Sequence, residues 1–393
     1  MGTVRFSLFA IVLAFTSVRL FAQDVLYGAN QYIEYQVGTL PFVISVAHGG
    51  NLEPASIPNR TCNNPVYTVD AFTIETALEI KQRLFAMTGC YPHLIISHLK
   101  RNKLDPNRNL QEGACGNQEA MQAWQEFHNF ISTARNTANQ QFTNNTLFVD
   151  LHGHGNEIER IELGYLLYDD ELALSDNTLN TNQYVNFSSI RNLVATNTNN
   201  YTHAQLLRGP FSFGTLLSKS NYPTVPSQDI PFPGVNTNYF SGGYITANHT
   251  SYKADVQING FQMELNFSGI RNTAANRTSF ANAFAKTIVE FMNTHFNMVW
   301  QSCTPLSAEA TGTTGLGIVS PNPARSGELL KLHLQENKKY TYEITTVNGK
   351  QIASGEVDKN NTILLRGIDQ GFYLLKVYQQ NDRVVLTTKL VIQ

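Results

Sequence analysis

The hydrophobic period of this 393-residue chain changes once. Upstream of Ser307 to Gly317, short apolar runs ending in polar residues alternate with longer stretches of helical spacing; downstream, only short alternating segments remain. The first pattern belongs to an α/β domain and the second to an all-β one. Ala, Thr and Gly dominate 307–317, as in a flexible connector. The expected organisation is an α/β domain over 24–306, with a sheet flanked by helices, a linker over 307–317, and a small β-sandwich over 318–393.

Residues 1–22 read as a secretory signal peptide: Arg5, an apolar run from Phe6 to Phe15, and Ala22 before the polar Gln23-Asp24. The run is far shorter than the ~20 apolar residues of a spanning helix, so a secreted or surface location is expected, with no transmembrane segment. Disulfides persist in such a compartment. The four cysteines, Cys62, Cys90, Cys115 and Cys303, allow three pairings, of which Cys62–Cys115 with Cys90–Cys303 is favoured. No CxxC pair supports a thiolate metal site. With 30 acidic against 28 basic residues and no basic stripe, a nucleic-acid partner is not expected.

Pro41–Ala47 reads as a buried strand that delivers His48 to a Gly-Gly turn at its C-terminal end, where open α/β sheets carry function. A helix over Ala71–Met87, stopped by Gly89, leads to a strand over Leu94–Leu99; a second helix covers Gln118–Ala138. Strands follow at Thr146–Leu151 and Ile161–Tyr168, with the alternation continuing to Leu265. Four prolines among Gly and Asn make 221–243 a long ordered loop. Phe280, Phe284, Ile288 and Phe291 form one face of a closing helix over Phe280–Val299.

Three polar constellations stand at predicted strand ends. His48 and Glu53, an imidazole and a carboxylate close in sequence, can share one Zn²⁺, with His152 of Asp150-Leu-His152-Gly-His154 as a third ligand. Asp70, at the cap of the first helix, is a reserve ligand, and His154 a partner bonded to the ligands rather than to the metal. Glu264 alternates with Met263 and Leu265 and suits a general base. Arg101 and Arg108, in the cationic loop 100–108, suit a carboxylate substrate, or else pair with Glu112 and Glu119.

The ordered set His48-Gly-Gly, Asp105-Pro-Asn107-Arg108, Asp150-Leu-His152, Gly242-Gly-Tyr-Ile-Thr246 and Gln262-Met-Glu264-Leu resembles the N-formylglutamate amidohydrolase family over about Phe42 to Asn272. That family is similar to zinc carboxypeptidases and to the aspartoacylase group. The resemblance implies a carboxypeptidase-like mixed sheet and a zinc-dependent amidohydrolase acting on an N-acyl amino acid or short peptide. It implies His48 and His152 as ligands, Asn107 and Arg108 as the grip on the substrate carboxylate, and Glu264 as the base. The carboxypeptidase-like pattern is His-x-x-Glu; here Asn51 takes the glutamate's place, leaving Glu53 or Asp70 as the carboxylate ligand.

Beyond the linker, alternating segments run over Leu329–Leu334, Tyr340–Thr346, Gln351–Val357, Thr362–Leu365, Phe372–Tyr378 and Val384–Ile392. Ser320-Pro-Asn-Pro323, Asn348-Gly-Lys350, Gly371-Phe-Tyr-Leu374 and Thr387-Thr-Lys-Leu390 look like the C-terminal sorting domain of the type IX secretion system of Bacteroidota. That resemblance implies the secretion machinery as a partner, and release or attachment at the cell surface. A carbohydrate-binding sandwich is the competing reading of the tail. For the whole chain, the competitors are a peptidase acting on peptides or peptidoglycan stem peptides and a non-catalytic surface binding protein on a degenerate amidohydrolase fold.

Overall fold

Alternation along the central strands decides which side chains pack under helices and which are left for the site. The computed structural model describes residues 23–142, 145–234, 237–296, 298, 319–320, 324–332, 334, 338–346, 350–379 and 383–392. The expected signal peptide and linker lie outside the described residues. The chain divides into two units, Met1–Thr304 and Pro305–Gln393.

The first unit runs β1 (Val25–Tyr27), β2 (Ile33–Gln36), β3 (Phe42–Val46), α1 (Thr73–Thr88), β4 (His93–Ser97), α2 (Leu110–Ala114), α3 (Gln118–Gln141), β5 (Leu147–Gly153) and β6 (Ile161–Gly164). Six short helices follow: α4 (Asp169–Leu172), α5 (Asp176–Leu179), α6 (Asn182–Phe187), α7 (Arg191–Thr196), α8 (His203–Arg208) and α9 (Phe213–Lys219). The unit closes with β7 (Thr224–Val225), α10 (Tyr244–His249), β8 (Asn259–Leu265) and α11 (Ala274–Phe296). The strands form one sheet in the order β1-β2-β4-β3-β5-β8-β6-β7. β3 is parallel to β4 and β5, and β5 to β8, while β2 and β6 run antiparallel to their inner neighbours. The helix-flanked sheet is the one that the sequence pattern called for, and its mixed strand directions are those that the resemblance implied.

Odd and even positions divide between the two faces. Phe42, Ile44 and Val46 of β3, Leu147, Val149 and Leu151 of β5, and Phe261, Met263 and Leu265 of β8 join the core under α1 and α11. There Phe284 packs against Phe42, Phe213 and Phe280. Val43 and Phe148 face α3, meeting Phe127, Ile131 and Ala134. The same parity leaves Ser45, Asp150, His152, Gln262 and Glu264 on this second face, at the strands' C-terminal ends.

Two local readings are corrected, and two strands had not been read at all. The alternation expected to run on to Leu265 gives way after β6 to the six short helices, because cap residues recur: Ser175, Thr202 and Ser212 each accept a first-turn backbone N–H and restart the chain direction. The strand expected to reach Tyr168 ends at Gly164, where the backbone of Ser241-Gly242 crosses so closely that a Cβ on Gly164 would lie 2.5 Å from Gly242 N. β1 and β2, three and four residues long, were too short to stand out in the sequence pattern.

The second unit contains two antiparallel sheets, β13-β10-β9 and β12-β11-β14-β15, with β9 Val319–Ser320, β10 Leu329–Leu332, β11 Tyr340–Thr346, β12 Gln351–Glu356, β13 Thr362–Leu364, β14 Gly371–Gln379 and β15 Arg383–Ile392. Leu330, Ile344, Ile363, Leu375 and Val377 share one core, as in a small sandwich. Cys62 and Cys115 are bridged. Cys90 is disulfide-bonded as well, and its expected partner, Cys303, lies outside the described residues. Among the described residues no helix is long and apolar enough to cross a membrane.

Burial holds His128 and His203 down at about 4 and His249 well below the ordinary histidine value. With folded values below the unfolded ~6.5, the unfolded chain binds more protons between about pH 4 and 6.5. Their contribution is therefore full above about 6.5 and is lost as the pH falls towards 4. Urea midpoints at pH 7, 5.5 and 4.5 are expected to fall in that order, at about 1.4 kcal/mol per pH unit for each such histidine, and His203→Gln should flatten the slope.

Candidate metal centre

Two buried histidines meet one buried carboxylate at the end of the sheet. His48 lies just past β3, His152 within β5, and Asp70 in the loop before α1; their ligand atoms all lie within 4.8 Å of one another. His48 Nε2–H donates to Asp105 Oδ1 at 2.7 Å and His152 Nε2–H to Asp150 Oδ2 at 2.9 Å. Since an ionised carboxylate only accepts, each pair keeps a proton on Nε2 and turns Nδ1 inwards. The two Nδ1 atoms then face the same oxygen, Asp70 Oδ2, at 3.5 Å and 3.1 Å. His48 Nδ1 is buried without a hydrogen-bond partner.

The carboxylates behind the histidines are themselves held. Ser45 Oγ–H donates to Asp150 Oδ1 at 2.7 Å across the β3–β5 pair. Asp105 accepts from Arg101 Nε at 3.1 Å and from the Asn107 N–H at 3.0 Å, with Arg60 Nη2 3.5 Å away. Arg60 is buried and also donates to the carbonyls of Val66, Arg101 and Glu112, pinning the cationic loop to the segment bridged by Cys62–Cys115. Asp70 accepts the Gly153 N–H at 3.2 Å.

Glu264 pairs in register with His152 on the neighbouring parallel strand and accepts from Gln262 Nε2 at 2.8 Å. Burial pushes its carboxyl up to about 8, assisted by Asp70 and Asp150 and opposed by His152 and Arg101. Burial alone would lower His152, yet Asp150 and Asp70 raise it well above the ordinary histidine value. Burial works against ionised Asp70, but His152 and His48 hold it well below the usual carboxylate range. Protons are therefore bound tightly where four carboxylates converge on two imidazoles. A divalent cation neutralises the same charge, so the residues fit a metal. Two neutral imidazoles and one carboxylate are also the donor set of an open catalytic zinc site.

The arrangement corrects two expectations. Glu53 is not near the two histidines: its side chain, 43% exposed, is taken by Lys100 Nζ at 2.5 Å and Asn102 Nδ2 at 2.8 Å, and Asp70 stands where the carboxylate ligand was sought. His154 does not touch the ligands. Its Nε2–H donates to Arg160 O and its Nδ1 accepts the Asn156 N–H, so both ring nitrogens serve the backbone of its own loop. Asp105 and Asp150 occupy the position proposed for it. Asp150 was findable, because in Asp150-Leu-His152 residues two apart on a strand share a face.

The His48-Asp70-His152 cluster opens into a cleft of about 730 Å³ whose walls include Arg101, Arg108, Asn107, Tyr244, Gln262 and Glu264. Arg108 is exposed and makes no ion pair among the described residues; Glu112 instead accepts from Asn63, and Glu119 from Tyr32 and Ser56. Arg101 lies 3.8 Å from Asp70 as well as on Asp105. Asn107 Oδ1 accepts the Ile245 N–H, and a Cβ on Gly243 would lie 2.4 Å from its amide, so the Gly242–Gly243 turn needs its bare backbone to cross here.

Residues 319–393 match a family model described as a secretion system C-terminal sorting domain. The tail is a sorting domain. A tail of this kind indicates secretion with attachment at the cell surface and implies contact with the type IX secretion machinery. No curated protein matches the chain. Among solved structures, the chain is similar to a metallo-carboxypeptidase from Pseudomonas aeruginosa bound to (2-guanidinoethylmercapto)succinic acid (11% identity, 68% of this chain and 64% of that one, TM-score 0.31). It is also similar to a candidate carboxypeptidase A from Shewanella denitrificans (10%, 67% and 61%, 0.33) and to PorZ, a surface component of the type IX secretion system of Porphyromonas gingivalis (18%, 23% and 12%, 0.17). The chain spans less than two thirds of the length of each.

Asp70→Ala should abolish stoichiometric zinc binding in the purified full chain, whereas Glu53→Ala should leave it unchanged, both read by elemental analysis. Zinc lost with Glu53 and retained without Asp70 would reverse the assignment.

Proposed function

We propose that the protein is a secreted, zinc-dependent amidohydrolase that cleaves an amide bond in an N-acyl amino acid or short peptide bearing a free carboxylate. One observation carries the reading: two histidines, each locked by a buried carboxylate, turn their Nδ1 atoms to a third carboxylate beside a buried glutamate at the cleft wall.

His48, Asp70 and His152 would hold the metal. Zinc, when bound, supplies a Lewis acid that polarises an amide carbonyl and acidifies water. Glu264, at the cleft wall and in register with His152, takes the proton of the attacking water and returns it to the leaving amine. Arg108, free of acidic partners, pairs with the substrate carboxylate, and Asn107, fixed by the Ile245 N–H, orients it, so that the scissile bond lies over the centre. Arg101, close to Asp70, adds positive charge where the carbonyl oxygen becomes anionic.

A second reading concerns length rather than chemistry. A cleft of about 730 Å³ lies in the upper part of the ~300–1,000 Å³ range of small-molecule sites, which favours a short peptide, including a peptidoglycan stem peptide, over the smallest N-acyl amino acids. The sorting tail, with the signal peptide expected over residues 1–22, supports an activity outside the cell.

The test is metal content and turnover of the full chain on a panel of N-acyl amino acids and di- to tetrapeptides. About one zinc per chain is expected, lost in His48→Ala. Glu264→Gln should retain zinc while kcat falls ~10²-fold or more, and Arg108→Met should raise KM about tenfold or more for substrates with a free carboxylate. A wild type that takes up no zinc would instead favour the non-catalytic binding protein.

A further inference from the structure

One buried arginine touches the backbone behind all three functional segments. Arg271, 3% exposed, ends the short turn Phe267–Arg271 that follows β8. Its Nε–H donates to Leu265 O at 3.1 Å, its Nη2–H to His154 O at 2.8 Å and its Nη1–H to Ala71 O. These carbonyls belong to the residue after Glu264, the second residue after His152, and the residue after Asp70. Segments nearly 200 positions apart in sequence thus meet on one guanidinium.

Two further observations show that this meeting is built in. A Cβ on Gly153 would lie 2.3 Å from Arg271 Cζ, so the residue between His152 and His154 must be glycine for the guanidinium to lie flat against the chain. Phe72, two residues after Asp70, has φ +65°, a conformation costing a bulky residue about 1–3 kcal/mol. The strained turn Asp70-Ala71-Phe72 belongs to no strand, and the bond from Arg271 to Ala71 O restrains it. The ring of Phe267 covers Arg271 at 5.4 Å and packs 6.3 Å from Phe72, closing the assembly on its outer side.

We infer that Arg271 is a positioning residue of the metal centre: it holds Asp70, His152 and Glu264 in mutual register through the carbonyls beside them, without touching substrate. The inference rests on the metal site proposed above. β5 and β8 are already fixed by their ladder, whereas Asp70 arrives on a loop, so the arginine's largest effect falls on Asp70. Only a planar group with donors in several directions reaches three carbonyls at once; a lysine at this position reaches fewer. Arg271 also brings a positive charge near Asp70 and Glu264, which offsets part of the cost of burying them.

The test compares Arg271→Lys and Gly153→Ala with wild type in the full chain, reading zinc affinity by chelator competition, the thermal midpoint of the metal-free protein, and kcat and KM. The expected result in both variants is a loss of zinc affinity of about 10–100-fold, a lower kcat with KM changed by less than about twofold, and a metal-free midpoint within a few degrees of wild type. Unchanged zinc affinity in both variants would overturn the inference. A metal-free midpoint that collapses in both would also overturn it, by making the arginine a general structural support. Wild type that binds zinc but hydrolyses no amide would remove the enzyme reading while the affinity measurement still decides the role of Arg271; wild type that binds none would remove both.

Discussion

Everything in the site depends on two hydrogen bonds, His48 to Asp105 and His152 to Asp150. Without a carboxylate on its outer nitrogen, an imidazole is free to place its proton on either side and to rotate; with one, the inner lone pair is fixed. Burying those carboxylates is costly, and the surroundings show how the cost is met. Asp105 is embraced by Arg101, Arg60 and the Asn107 N–H, and Asp150 by Ser45. The same arginines anchor the cationic loop, so the groups that stabilise the carboxylates also aim Arg108 at the cleft.

The sheet makes this possible by parity. On β5, odd positions feed the core under α1 and α11, so Asp150 and His152 emerge together on the other face; on β8 the same rule presents Gln262 and Glu264 beside them. A slip of one residue in either strand would exchange Glu264 for Met263 or His152 for Leu151. The apolar positions therefore do more than build a core: they fix the register on which the polar face relies.

That parity is what made much of the molecule legible in the sequence. β3, β5, β8, α1, α3 and α11 follow from period alone, as do the alternating strands of the tail, and the glutamate on β8 follows from its apolar neighbours. Asp70 was legible only as a cap residue, because a carboxylate carried by an irregular loop 22 positions after His48 obeys no period. Glu53, nearer in sequence, is lost to Lys100 and Asn102, a competition that depends on where the loop 100–103 folds back and that spacing cannot express. Arg60 and Arg271 were invisible for the same reason: their hydrogen bonds go to backbone carbonyls, and carbonyls carry no sequence signature.

Charge distribution adds a last argument about why the site exists. Only 15% of the residues are charged, yet Asp70, Asp105, Asp150, Glu264, Arg60 and Arg271 are all buried within or against one small region. Replacing buried ion pairs with apolar residues of similar size is often neutral or stabilising, so stability alone does not account for the concentration. Asp150 and Asp70 raise His152 well above the ordinary histidine value, and burial, assisted by Asp70 and Asp150, pushes Glu264 up to about 8. In the proposed function, a cation at the junction of His48, Asp70 and His152 would favour their deprotonated forms, since ligands bind without their protons. Under the proposed function, the polar groups that burden the fold would be the ones that hold the metal and the base, which would give a reason for burying them.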